Sequence, residues 1–298
     1  MNLAPGDRLR RIVLVVICLA LTSVFWRIGS SGHSAYLELS ELAKRIKPVD
    51  RETLTNLPKR YGWDAADLFK DPMLLELCEA ISKGDSTEIS RLISAGARIN
   101  QPGKDGFTVL HWALACDKLP AFKQLLAAGA DPDMRLEANF TFSDIWDRFR
   151  AGETVAYCCV RLWRSDFLLA ALPYSDEPDQ RNCHQDTLLY DLSFTGYPAS
   201  LEIVDAVIAI GADLDARSPH GQTALDMACA SGINKLKTAL RLLEKGAQPD
   251  KCRFGIAGLR RALEKHRLRF EAEQDQEGID GVNAVLKHLD APSANGDG

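Results

Sequence analysis

The stretches Gly106-Phe-Thr-Val-Leu-His-Trp-Ala113 and Gly221-Gln-Thr-Ala-Leu-Asp-Met-Ala228 decide the fold, because they share one pattern of residue types. Each is followed by an apolar run, from Phe122 to Leu126 in one copy and from Leu236 to Leu243 in the other. A short turn that contains Gly-Ala closes both copies. Self-similarity of this kind predicts a stack of small repeating units.

Further copies extend this pattern along the chain. Measured at the threonine, the copies lie at Thr108, Thr154, Thr187 and Thr223, so the steps are 46, 33 and 36 residues. An upstream copy without the threonine keeps its turn, Ala95-Gly-Ala97. The pattern resembles the ankyrin repeat, which reads G-x-T-P-L-H-x-A, a second helix and a closing G-A-D, with a period of about 33 residues.

The resemblance implies an all-α ankyrin-repeat solenoid of about five degenerate repeats over residues 71–250. Threonine at a helix start satisfies backbone donors, and the glycine of the closing turn takes a left-handed conformation. The proline of T-P-L-H is replaced in every copy, and the step of 46 indicates an insertion at 134–152. Helical caps are predicted at 31–70, including a helix from Tyr36 to Lys47, and at 251–290. Residues 291–298 are predicted to form a disordered tail.

The N-terminus predicts the compartment. Residues 1–30 carry four arginines and one aspartate around an apolar run from Ile12 to Phe25. A basic segment before about 14 apolar residues is typical of a secretory signal peptide, and a short uncleaved membrane anchor is the alternative. The arginines hold the N-terminus in the cytoplasm, which predicts a periplasmic body that is anchored to the inner membrane if the segment is uncleaved.

Composition and motifs favour a binding protein over an enzyme. The net charge is −5, and residues after 30 sum to −8, which argues against a nucleic-acid partner. H-E-x-x-H, G-x-S-x-G and a phosphate-binding glycine loop do not occur in the sequence. Adjacent residues rarely orient toward each other on a turn, so we do not expect Cys183-His184 to act as a nucleophile and a base. The repeat pattern explains acidic turns such as Asp131 and Asp133 better than calcium does. We therefore expect neither catalytic residues, nor a metal, nor a cofactor.

The resemblance also implies where a partner binds. Ankyrin proteins hold their partners at the finger loops between repeats and at the ends of the first helices. Carried over copy by copy, these positions are Lys104, Asp105 and Phe107; Arg150, Glu153, Arg161 and Leu162; His184, Asp186 and Phe194; and His220 and Gln222. The insertion adds Phe140, Phe142 and Trp146.

Two alternatives are open at these positions. Phe107, Leu162 and Phe194 are either exposed anchors for a partner or are buried because the degenerate repeats have shifted register. The insertion either packs on its own repeat or protrudes as a contact element.

The combination of an export signal and an ankyrin array resembles anchored periplasmic ankyrin proteins. Its organisation is similar to that of immunity proteins paired with type VI secretion lipase effectors of the phospholipase D class. This resemblance implies a non-enzymatic inhibitor that occludes the active site of a secreted phospholipase toxin. The alternative is a membrane-anchored periplasmic scaffold that supports a resident enzyme, such as an antioxidant protein.

Overall fold

The regular structure of the described residues is helical. A computed structural model describes residues 56–139, 149–194 and 200–290, all within the compact unit Glu52–Gly298. Within these ranges the structure holds no β-strand, and one isolated bridge joins Arg181 and Thr187. The predicted all-α class is confirmed.

Five successive helix pairs of the described residues form the repeats, and shorter or longer helices flank them. The flanking helices are α1 (Leu57–Tyr61) and α2 (Ala65–Leu68) on one side, and α13 (Gly255–Glu273) and α14 (Gln276–Asp290) on the other. The pairs are α3 (Pro72–Lys83) with α4 (Ser86–Ser94), α5 (Val109–Ala115) with α6 (Leu119–Ala127), α7 (Val155–Arg161) with α8 (Ser165–Ala171), α9 (Leu188–Ser193) with α10 (Leu201–Ala209), and α11 (Ala224–Ala230) with α12 (Ile233–Glu244).

Three of the four motif threonines start their helices as predicted. The hydroxyl oxygens of Thr108, Thr187 and Thr223 each accept from the backbone N–H three residues later. Thr154 is the exception, because its buried hydroxyl has no hydrogen-bond partner in the part of the chain that the structure describes. The second full repeat therefore begins with a weaker cap than its neighbours.

The closing turns also adopt the predicted geometry, and they are joined to one another by side chains. Gly96, Gly129, Gly211 and Gly246 all have φ between 91° and 100°. One oxygen-bearing side chain per repeat then accepts a backbone N–H from the closing turn of the next repeat. The pairs are Asn100 with Asp131 (2.9 Å), Asp133 with Asp176 (2.8 Å), Asp179 with Asp213 (2.9 Å) and Asp215 with Gln248 (2.8 Å). We call this series the acidic ladder.

A second series of hydrogen bonds, which we call the arginine ladder, links the fingers. Arg135 donates to the carbonyl of Arg181 (2.9 Å), Arg181 donates to that of Arg217 (2.9 Å), and Arg217 donates to that of Lys251 (2.7 Å). Because each guanidinium reaches into the following repeat, neighbouring fingers are fixed relative to each other.

Small and apolar side chains fill the space between the helices. Cys78, Cys158, Ala228 and Cys229 are fully buried on first helices, where a small side chain lets neighbouring helices approach closely. All seven cysteines of the described ranges are free thiols, and six of them are buried.

The predicted membrane segment at 1–30, the helix at Tyr36 to Lys47 and the tail at 291–298 lie outside the described residues. Among the helices that the structure does describe, none combines the length and the apolar character needed to cross a bilayer.

Candidate functional site

A polar network lies where the second full repeat meets the third. Glu153 follows the finger glycine of its repeat, and its side chain is fully buried. Arg161, the last residue of α7, binds both carboxylate oxygens, with Nε at 2.7 Å from Oε2. The thiol of Cys183 donates to Oε1 at 3.2 Å. The buried carboxylate therefore fixes Arg161 and Cys183 at this junction.

Arg150 and His184 form the outer edge of this network. Nη1 of Arg150 lies 2.8 Å from Nε2 of His184 and 3.8 Å from Sγ of Cys183. A guanidinium can only donate, so this contact needs an unprotonated Nε2 on His184. Arg150 forms no ion pair within the described ranges, and a carboxylate of a partner could therefore bind it without displacing another acid.

Two further carboxylates lie close to the network in the chain. Asp186 is on the finger that carries His184, and Asp191 is on α9. Asn182 donates to Asp191 at 2.8 Å, and its Oδ1 accepts the backbone N–H groups of His184 and Asp186. Burial raises the pKa of Asp191 to about 6, and burial also raises the pKa of Asp186. The charge of this finger therefore changes in mildly acidic solution.

Phe107 corrects the sequence prediction. Its side chain is fully buried and packs with Trp63, His111 and Phe149, with ring centroids 5.4 to 6.2 Å from its own. Trp63 belongs to the lead-in before the repeats, and Phe149 belongs to the insertion. Phe107 is therefore buried, because two segments that are distant in the sequence cover it. A partner cannot contact its ring.

Glu153 needs a similar correction. The resemblance placed it on the contact surface, but it is fully enclosed and paired with Arg161. It can position Arg161 for a partner and cannot itself touch one.

The remaining predicted contact residues are more accessible. Lys104, His184, Phe194 and His220 are exposed, and the Phe194 ring keeps 53% of its surface open to solvent. Leu162 is half-buried and packs against the core, which favours the buried alternative there. Asp105, Arg150, Arg161, Asp186 and Gln222 are of intermediate exposure.

The two ends of the insertion are tied to the repeat. The backbone N–H groups of Leu136 and Gly152 donate to the carbonyls of Glu153 and Leu136, at 3.0 and 2.7 Å. Phe149 is fully buried, so the packing alternative holds at this residue. Phe140, Phe142 and Trp146 lie outside the described residues, and their role as contacts stays a prediction.

The residues that could have formed a nucleophile and base pair or a metal site bind other side chains or backbone groups of the protein. The Cys183 thiol binds Glu153 and the His184 ring faces Arg150, so the two are not paired as a nucleophile and a base. Burial and the hydrogen bond to Glu153 raise the pKa of Cys183, which disfavours the thiolate. Asp133 belongs to the acidic ladder, and in the part of the chain described here no group of three His, Cys, Asp or Glu side chains could hold a metal ion.

Sequence reasoning missed the arginine ladder and the residues beside it. The ladder could have been found by aligning the copies, since Arg135, Arg181 and Arg217 occupy equivalent positions at the repeat spacing. A polar cleft of about 580 Å³ opens beside Arg135 and Arg181, with Glu177 and Gln185 in its lining. The second full repeat closes with Pro173-Tyr-Ser-Asp-Glu-Pro178 where Gly-Ala-Asp would stand, so the repeat pattern did not indicate this cleft.

Comparisons with known proteins place the chain in a structural class. Residues 105–135 match the family model of the ankyrin repeat. A solved ankyrin repeat domain from Acinetobacter baumannii AYE is 20% identical and superposes with a TM-score of 0.53, over 70% of this chain and 97% of that one. The ankyrin-repeat fold inferred from the sequence is confirmed.

Two curated proteins share shorter or weaker similarity. The palmitoyltransferase AKR1 of Debaryomyces hansenii is 36% identical over 24% of this chain and 9% of its own length. The human SH3 and multiple ankyrin repeat domains protein 2 is 27% identical over 71% of this chain and 11% of its own length. The chain thus spans about a tenth of the length of these relatives.

Proposed function

We propose that this ankyrin-repeat array is a non-enzymatic protein-binding module, and that its partner is a secreted type VI phospholipase toxin neutralised in the periplasm. The observation that carries the binding role is the set of exposed finger residues on three of the four full repeats, Lys104, His184 and His220, together with the open ring of Phe194. An exposed aromatic among polar groups has the character of a binding hot spot.

We place the apolar part of the binding face in the third full repeat, at Phe194, and not in the first. The aromatic cluster around Phe107 fills the corresponding position of the first full repeat with the chain's own side chains. Arg161, which Glu153 fixes, and Arg150, which faces His184, then supply cations at the junction of the second and third full repeats. Phe194 supplies an exposed ring directly after α9. A toxin loop with a carboxylate and an apolar side chain would match this arrangement.

The toxin assignment is supported by three features of the sequence. The N-terminal pattern favours export, the organisation resembles that of periplasmic ankyrin-type immunity proteins, and the net charge of −8 after residue 30 suits a toxin with a basic phospholipid headgroup site. Occlusion of the active site would protect the producing cell without any chemistry in the inhibitor.

The test starts with the full chain as bait in extracts of the producing organism, followed by titration against the purified partner. We expect a secreted phospholipase whose toxicity in the periplasm is relieved when this chain is co-expressed. Arg150→Glu with Phe194→Ala should weaken binding by about 100-fold or more, as loss of hot-spot contacts does. Lys123→Glu, at an exposed position of α6, is the matched control and should bind as the parent does.

Two results would contradict this assignment. Capture of a resident periplasmic enzyme would favour the scaffold role. Binding to a phospholipase without relief of its toxicity would remove the inhibitory role and leave the binding role.

A further inference from the structure

Positive charge is concentrated in α13 and the two residues before it, although the chain as a whole is acidic. Residues 253–269 contain six arginines or lysines and one glutamate, a net charge of +5, whereas the whole chain has −5. Three of these cations, Arg253, Arg261 and Lys265, are exposed and make no ion pair within the described ranges. Their charges are therefore available to an external anion.

Exposed apolar side chains accompany these cations. Phe254 and Leu268 keep 66% and 63% of their surfaces open to solvent. Phe254 is the residue directly before α13, and Arg253 lies over its ring with the guanidinium carbon 5.0 Å from the centroid. Together with the neighbouring cations they give this surface the mixed basic and apolar character of a helix that lies on a membrane.

The helical period aligns these residues into one surface. Phe254, Ala257, Arg261, Lys265 and Leu268 are spaced by three or four positions, which puts them on a single face of α13. The opposite face, with Leu259, Leu263 and Phe270, is buried. We call the exposed face the basic stripe. At 1.5 Å per residue, it runs for about 21 Å, with apolar side chains at both ends and two cations in the middle.

We propose that the basic stripe docks on an anionic phospholipid surface. Charge complementarity selects this occupant, because each lysine or arginine near an anionic bilayer contributes about 1 kcal/mol and an inserted phenylalanine or leucine adds apolar burial. The stripe alone is a weak signal. It becomes effective together with the membrane segment predicted at residues 1–30, since stable attachment takes two signals. The inference does not depend on the identity of the protein partner.

The test measures the reactivity of one lysine in the full chain. The protein is reconstituted into nanodiscs of phosphatidylcholine alone or of phosphatidylcholine with phosphatidylglycerol, and amine acetylation is followed by mass spectrometry. We expect Lys265 to react about fivefold more slowly in the anionic discs, which corresponds to about 1 kcal/mol of surface attraction. High salt should remove the protection because it screens the charges. The exposed Lys123 serves as the control within the same molecule.

Variants separate the stripe from a general charge effect. Arg253→Gln with Arg261→Gln should abolish the protection of Lys265, and Phe254→Ser with Leu268→Ser should reduce it. Lys70→Gln with Lys245→Gln removes the same charge from other exposed positions and should leave the protection of Lys265 intact. Circular dichroism checks that each variant is folded. Equal reactivity of Lys265 in both kinds of disc would overturn the proposal, and so would protection that appears in both and resists salt.

Discussion

At the scale of single residues, the buried Glu153 and its partner Arg161 form a pair on which the stability of the array depends. Glu153→Gln removes the negative charge that Arg161 and Cys183 face, and it leaves a largely enclosed guanidinium without the carboxylate that binds it. Breaking such a pair typically lowers the free energy of unfolding by about 3 kcal/mol. We expect a loss of that size in urea unfolding.

The control for this substitution is Glu88→Gln. Glu88 also pairs with an arginine, Arg91, but both side chains are open to solvent. Exposed pairs contribute only about 0.5 kcal/mol, so the two variants should differ clearly. Equal losses would mean that burial does not govern the Glu153 pair.

His111 gives a pH-dependent prediction at the same scale. Burial lowers the pKa of His111 to about 3, while an unfolded histidine titrates near 6.5. Between these values the unfolded chain binds more protons, so the free energy of unfolding falls as the pH falls. Between pH 6.5 and 5 the fall from this residue amounts to about 2 kcal/mol. His111→Gln should lose much of that dependence, measured as the difference in unfolding free energy between the two pH values.

His220 provides the matched control for this measurement, because it is exposed on a finger. His220→Gln should keep the acid sensitivity of the parent. The buried Asp191 has its pKa raised to about 6, so it raises the free energy of unfolding as the pH falls, opposite to His111. Asp191 is present in both variants, and its effect therefore cancels in the comparison.

At the scale of helices and turns, the acidic ladder makes each closing turn depend on the previous one. Asp215 accepts the backbone N–H of Gln248 at 2.8 Å and pairs with Lys251. Asp215→Ala should lower the free energy of unfolding by about 2 kcal/mol, the range for hydrogen bonds to a charged group. Asp250→Ala, at an exposed position two residues after Gln248, should change it by less than about 0.5 kcal/mol. If both variants lost the same free energy of unfolding, the acidic ladder would not be a source of stability.

The helices and turns also show how much of the structure the sequence predicts. Thr108, Thr223 and the glycines of the closing turns act through bonds to neighbours a few residues away, so their pattern predicted the helices and turns correctly. Phe107 depends on Trp63 and Phe149, which lie more than forty residues away on either side. The repeat pattern carries no record of such contacts, and for this reason an exposed ring was predicted where a buried cluster occurs. The pairing of Glu153 with Arg161 and Cys183 depends equally on how two fingers meet.

At the scale of the whole molecule, the buried thiols make the array sensitive to alkali. Burial raises the pKa of Cys78, Cys158, Cys159 and Cys229 above that of an unfolded cysteine, which is near 8.5. Above pH 8.5 the unfolded chain therefore binds fewer protons than the folded one, and stability falls as the pH rises. By pH 10 each thiol lowers the free energy of unfolding by about 2 kcal/mol. Lys235 opposes this, because burial lowers its pKa to about 8, but it contributes only about 3 kcal/mol.

Since the buried thiols outweigh one lysine, we expect the free energy of unfolding to fall between pH 7 and pH 10 under reducing conditions. The quantity to compare is the free energy of unfolding at pH 10 minus that at pH 7, measured in urea for each protein. Cys158→Ala with Cys229→Ala should make this difference smaller by about 4 kcal/mol, because two titrating groups are gone. Val207→Ala is the control, because it removes fully buried apolar volume and no titrating group. It should show the same difference between pH 10 and pH 7 as the parent. If the double variant also kept it, the alkaline transition would have to come from other groups, with the buried Tyr157 next in order because burial raises its pKa as well.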